Sequence, residues 1–258
     1  MPHQRLRPML TAPGLKLGLF AMEFATPGLP LLVKHGGADF LVLDLEHSGF
    51  GFETMRAVTI GGRAADLPVI VRVPHLHPNE VSRALDGGAD GIMAPLVSTA
   101  QQATDVVAWA TYPPSGGMRG VGMMLPHDNY RPGVPAAKMA EADATRAIVI
   151  QIETREGAEN AEAIAAVPGV DCLWLGHMDL SCSLGIPGRF DHPDFVEACG
   201  RVIAAAKRHG KALGRMAGGI ADAKRLAEEG YDTIALFSDT AALQGRIAEG
   251  VAALRGSA

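Results

Sequence analysis

The sequence predicts a single (β/α)8 barrel, the TIM-barrel architecture, over residues 1–258, and three observations lead there. The 258 residues match the usual length of such a barrel and suffice for a buried core. Eight short apolar runs alternate with longer helical patterns, and the runs lack the period of two that a strand with one wet face would show. Most of the helical patterns end in glycine, as a helix C-cap does.

In chain order the predicted strands are LKLGLF (15–20), DFLVLD (39–44), PVIVRV (68–73), GIMAPL (91–96), AIVIQIE (147–153), VDCLWLG (170–176), KALGRM (211–216) and TIALFS (233–238). The intervening helical segments include PGLPLLVKHGG, FETMRAVTIGGRA, NEVSRALDGG, TAQQATDVVAWA, GAENAEAIAAV, HPDFVEACGRVIAAAKRHG and GIADAKRLAEEG. The junctions GGADF, GGADG, PGVDC and EGYDT mark equivalent joints between helix and strand, and nothing longer repeats. Residues 117–146 carry enough Pro and Gly for a long excursion, and long connections in compact domains are often functional.

A formal charge of −5, with no Lys/Arg run of five or more, excludes the basic footprint of a nucleic-acid-binding protein. No apolar stretch reaches the roughly 18 residues of a membrane span, and MPHQRLRPML lacks the apolar region and cleavage site of a signal peptide. A soluble, cytoplasmic protein is expected. Cys172, Cys182 and Cys199 form no CxxC pair or other zinc spacing and are read as buried small apolar residues.

Barrels of this kind place their reacting groups at the C-terminal ends of the strands. Here those ends deliver Asp44, Glu46 and His47 after the second strand, Arg72 after the third, Gln151 and Glu153 after the fifth, and His177 and Asp179 beyond the sixth. Polar groups converge at such cost only when paired or coordinated, and a metal site is the simplest account. Glu153 and Asp179 would supply hard oxygens, with no cysteine nearby, which favours Mg2+, Mn2+ or Co2+. The bland alternatives are that Glu153 caps a helix opening at 154–157, that Asp179 caps the turn into 180–184, that His47 is a structural histidine, and that Arg72 pairs with Asp44 or Glu46.

FLVLDLEHSGFG (40–51), VRVP (71–74), ALDGGADGIMAPLVSTAQQA (84–103), YPPSGGMRGVG (112–122), QIETREG (151–157) with GHMDLS (176–181), and HPDF (192–195) together resemble the HpcH/HpaI aldolases, class II pyruvate aldolases. The resemblance covers most of the chain, and QIET followed about twenty-five residues later by GxxDLS is its most specific part. It implies that Glu153 and Asp179 hold a divalent metal chelated by pyruvate, which acts as a Lewis acid. It further implies that Arg72 holds the keto or enolate oxygen, that Gln151 contacts pyruvate or a metal-bound water, and that backbone N–H groups near Met178 and Asp179 meet the carboxylate. His47 would be the acid/base, with Asp86, from the same or a neighbouring subunit, as its carboxylate partner. Met216, with Arg215 beside it, would shape the aldehyde site.

The family's GPADLS stands here as GHMDLS, so His177 becomes either a substrate contact or a hydrogen-bond donor to a carboxylate. The implied reaction is cleavage or formation of 4-hydroxy-2-oxo acids through a metal-stabilised pyruvate enolate, with pyruvate and an aldehyde as partners. Lys16, Lys34, Lys138, Lys207, Lys211 and Lys224 all lie at predicted strand starts, helices or loops, so no lysine is placed to form an imine. The competing readings are a CoA-ester or phosphoenolpyruvate-type lyase on the same barrel, which would want a basic nucleotide patch, and a non-catalytic oxo-acid-binding barrel. Family members resemble hexamers built as trimers of dimers that exchange their last helix, and the apolar pattern AALQGRIAEGVAALRG suits either an exchanged or a self-packed helix.

Overall fold

A computed structural model of the chain describes residues 5–255. Eight parallel strands close into a barrel in sequence order: β1 (Lys16–Ala21), β2 (Phe40–Asp44), β3 (Val69–Arg72), β4 (Gly91–Ala94), β5 (Ala147–Ile152), β6 (Cys172–Leu175), β7 (Ala212–Met216) and β8 (Thr233–Ser238). All eight predicted strands are present: β8 has its predicted bounds, β1 is shifted by one residue, and the other six are trimmed at one or both ends. The run GIMAPL stops at Ala94 because Pro95 has no N–H for the ladder and Leu96 turns into the left-handed region at φ 56°. Among the described residues no helix is long and apolar enough to cross a membrane.

β2 to β6 are buried along their whole length, which is why they read as continuous apolar runs. One apolar layer fills the space between strands and helices. A second fills the bore with Phe20, Phe40, Val42, Ile70, Met93 and Trp174. Two of its rings fit because a neighbouring strand carries no side chain there: a Cβ on Gly18 would collide with Phe40, and one on Gly214 with Trp174. Helix Leu6–Thr11 closes the N-terminal end of the bore with Leu6, Met9 and Leu10, and Arg7 anchors it through bonds of 2.8 and 3.0 Å to Asp171. At the other end the Asp239 carboxylate accepts the N–H groups of Met22, Glu23 and Phe24 at 3.1, 2.9 and 2.7 Å, joining the exits of β1 and β8.

The excursion over 117–146 lies at the N-terminal face, because it follows helix Ala100–Ala110, which runs antiparallel to the strands, and leads into β5. It is built from a 3-10 turn at Pro126–Asp128 and helix Pro135–Thr145. Cys172 and Cys199 are buried as expected, whereas Cys182, on the outer side of a short helix at the mouth, is exposed. Helix Asp239–Arg255 buries only Asp239 and leaves Leu243, Ile247, Val251 and Leu254 exposed in one stripe, so it does not pack as a self-contained eighth barrel helix.

Candidate active site

The strand register brings the C-terminal polar residues together. Asp44 and Arg72 are direct neighbours across β2 and β3, and Gln151 faces Trp174 across β5 and β6. Arg72, 5% exposed, donates Nε and Nη2 to the two oxygens of the fully buried Asp44 at 2.7 and 2.6 Å. That bidentate pair spends one edge of the guanidinium and fixes its plane. Nη1 is left pointing towards Glu46, 3.1 Å away, and Cζ sits 5.0 Å above the Phe20 ring. The structural pairing is therefore real and involves both acids: Asp44 fixes the plane of Arg72, and Glu46 faces its remaining edge. Asp44 also accepts the N–H groups of Glu46 (2.9 Å) and His47 (3.3 Å), shaping the turn that carries the histidine.

Glu153, 2% exposed, hangs its side chain beyond the end of β5. One oxygen accepts the Leu96 N–H at 2.6 Å, and the other accepts the Gln151 amide. The strained left-handed Leu96 is what aims that N–H inward. Burial, only partly opposed by the Leu96 bond and reinforced by Glu46 and Asp179, pushes the Glu153 carboxyl up to about 7. Burial likewise raises Glu46 in spite of Arg72. Gly176 is required here, since a Cβ would meet Glu153 and the Gln151 amide.

Neither carboxylate caps a helix. Thr154 is the N-cap of helix Arg155–Glu159 and accepts the Gly157 N–H at 2.9 Å, while Gly176 precedes helix His177–Ser183 and Asp179 lies inside its first turn, exposed. Both capping alternatives fail; Glu153 is instead held by the Leu96 N–H and the Gln151 amide.

A cavity of about 220 Å3 opens over these groups, lined by His47, Arg72, Gln151, His177, Met178, Asp179 and Met216. Its inner wall adds Phe20, Met22 and Trp174, which the sequence reading missed. Trp174 was findable, since it lies two residues before Gly176 on the strand that delivers the motif. Leu96 had no sequence signal beyond the preceding proline. His47 is half exposed, with Nε2 3.9 Å from Glu46. His177 packs edge-on against Phe190 at 5.2 Å, and burial, then the charge of Arg215, pushes its imidazole down to about 4, so it is neutral.

Two residues fall elsewhere. Asp86 ends helix Pro78–Asp86 at the opposite face and pairs with Arg119 at 2.6 Å, so within one chain it does not reach His47. Arg215 points outward from β7, away from the cavity that its neighbour Met216 lines. The lysines stay away too: Lys16 and Lys211 sit at strand starts, bonded to Leu10 and Val170 carbonyls, and no lysine lines the cavity.

The donor set suits a hard divalent cation. Asp179 lines the cavity, the buried Glu153 behind it is near enough to feel its charge, no thiol is in the lining, and the buried Gln151 Oε1 lacks a hydrogen-bond partner. Among the described residues no three His, Cys, Asp or Glu side chains converge, so two protein ligands would leave most positions to small-molecule oxygens.

Comparison with known proteins places the chain among aldolases of this fold. Residues 16–244 match the family model described as HpcH/HpaI aldolase/citrate lyase. A 5-keto-4-deoxy-D-glucarate aldolase of Klebsiella pneumoniae is 34% identical over 91% of this chain and 90% of its own. A hydroxypyruvate/pyruvate aldolase of Chromohalobacter salexigens is 36% identical over 90% of this chain and 91% of its own. The crystal structure of an HpcH/HpaI aldolase from Desulfitobacterium hafniense superposes with a TM-score of 0.91 at 32% identity, covering 99% of this chain and 98% of that one. With nearly the whole length of the barrel matched in this way, the chain belongs to the HpcH/HpaI aldolase/citrate lyase family.

Proposed function

We propose that this protein is a divalent-metal-dependent class II aldolase that cleaves and forms 4-hydroxy-2-oxo acids, with pyruvate as the common product or donor. The observation that carries this is the pairing of a buried, charge-strained Glu153 with Asp179 beside an Arg72 already fixed by Asp44. The names of the aldolase relatives support the reaction class.

Glu153 and Asp179 would hold Mg2+, Mn2+ or Co2+, which when bound supplies Lewis acidity at the keto oxygen of the 2-oxo acid. Arg72, whose Nη1 lies 3.1 Å from Glu46, turns that edge to the same oxygen, where negative charge grows as the C3–C4 bond breaks. Gln151, its amide tied to Glu153, holds its free oxygen towards a bound water or the pyruvate. The first-turn N–H groups of helix His177–Ser183, near Met178 and Asp179, have no intrahelical acceptors and face the substrate carboxylate. His47 takes the proton of the 4-hydroxyl, the aldehyde leaves, and the enolate carbon is then protonated to give pyruvate. Phe20, Met22 and Trp174 keep water from the enolate. His177 and Met216 border the outer cavity and are assigned to aldehyde contacts.

The exposed stripe on helix Asp239–Arg255 supports exchange of that helix between subunits of a hexamer built as a trimer of dimers. Asp86 can then partner His47 only from a second copy. Native mass spectrometry reads the assembly directly. For the chemistry, EDTA should abolish cleavage of a 4-hydroxy-2-oxo acid and borohydride with pyruvate should trap no adduct; a trapped adduct would overturn the class II mechanism.

A further inference from the structure

A second and larger cavity, about 580 Å3, lies outside the barrel wall between helix Pro193–Arg208 and helix Ile220–Glu229. That volume is ordinary for a small-molecule pocket. Phe190, Phe195, Val196 and Ile203 make its walls apolar. Strand alternation sends Met216 into the active-site cavity and Arg215 into this one.

Arg215 is 4% exposed, yet it forms no ion pair among the described residues and its Nε has no hydrogen-bond partner. It lies beside the Tyr231 hydroxyl, a neutral group that cannot balance a cation. Of the nearby carboxylates, Asp222 and Glu229 are already engaged by Arg225, the first at 2.5 Å, while Asp191 lies at the exposed rim of the cavity and forms no ion pair with Arg215. The guanidinium carbon sits 5.9 and 5.8 Å from the centres of the Phe190 and Phe195 rings, so its surroundings are apolar and aromatic. A buried cation without a counter-charge is costly, and here the open volume lies directly against it.

We propose that this outer cavity is a second ligand site, which takes a small organic monocarboxylate with an apolar body. The carboxylate pairs with Arg215, and the body lies against Phe190, Phe195 and Ile203. Asp191 and Glu229 also line the cavity and disfavour polyanions such as phosphate esters. The proposal is independent of the aldolase reading, since Arg215 is outside that site.

The test is calorimetric titration of the full-length protein with 2-naphthoate and with its neutral isostere 2-naphthamide. One saturable naphthoate site per chain is expected, with the amide at least about tenfold weaker. Arg215→Leu should weaken naphthoate by the same factor. Gly200 lines the cavity and an added Cβ there meets nothing within 4 Å, so Gly200→Leu should fold, fill the space and block binding. Arg72→Lys should leave naphthoate affinity unchanged, which separates this site from the active-site cavity. Absence of saturable binding, equal affinity for the amide, or binding that survives Gly200→Leu would overturn the proposal. So would a change in native mass on Gly200→Leu, which would make the cavity an interface with a second copy.

Discussion

The two ends of the barrel handle charge in opposite ways. At the N-terminal face arginines and aspartates match one to one: Arg7 with Asp171, Arg63 with Asp90, Arg119 with Asp86, and Arg146 with Asp143. At the C-terminal mouth Asp44, Glu46 and Glu153 gather around the guanidinium of Arg72, Asp179 adds its charge to Glu46 and Glu153, and burial raises those two acids. A face whose charges cancel internally favours stability, while surplus buried acid costs stability and is what the cation of the proposed function would offset. The same residue types thus have different consequences at the two ends.

The contrast is sharpest under substitution. Glu153→Gln removes part of the surplus and should lower kcat by about 10³-fold, the scale of losing a preorganised electrostatic group. The metal-free variant should melt at a higher temperature than the metal-free wild type, because a buried carboxylate has been replaced by a neutral amide. A Tm that falls together with activity would place Glu153 in the same structural class as the opposite face. Asp143→Ala is the mirror experiment. It strands the buried Arg146 and should cost about 3 kcal/mol in urea denaturation with kcat per folded enzyme unchanged.

Arg72→Lys should follow at about 10²-fold in kcat/KM, since an ammonium cannot hold Asp44 bidentately and still present a second edge. The smallest effect concerns His127, on the stable face, whose imidazole is held below its ordinary 6.5 by burial and then by Arg119. Between the folded and unfolded values the unfolded chain binds more protons, so stability rises with pH there and is lost as pH falls below about 6.5. His127→Phe should flatten that slope in denaturation midpoints measured from pH 7 to 5, without touching activity.

The strands and the members of the mouth were legible because parallel strands buried on both faces must be apolar throughout, so polar residues at their ends stand out. Asp44, Arg72, Gln151 and Glu153 all declared themselves that way. What stayed hidden depends on direction or distance. Arg215 and Met216 are adjacent in sequence, and only the parity of β7 sends one outward and the other into the site. Asp86 sits in a matching motif, but its helix runs to the far face, where Arg119 claims it. The excursion over 117–146 announced itself by composition, and the side of the barrel it occupies follows from its place after a helix rather than after a strand. The Leu96 N–H that holds Glu153 comes from a left-handed turn that no residue pattern required.

The surplus of acid at the mouth is tested most directly by the methyl protons of pyruvate in D2O, followed by NMR with the protein and Mg2+, Mn2+ or Co2+. The account predicts exchange with at least one of these metals, removed by EDTA and by either Glu153→Gln or Asp179→Asn. No exchange with any of the three metals, or exchange that persists in both variants, would contradict it.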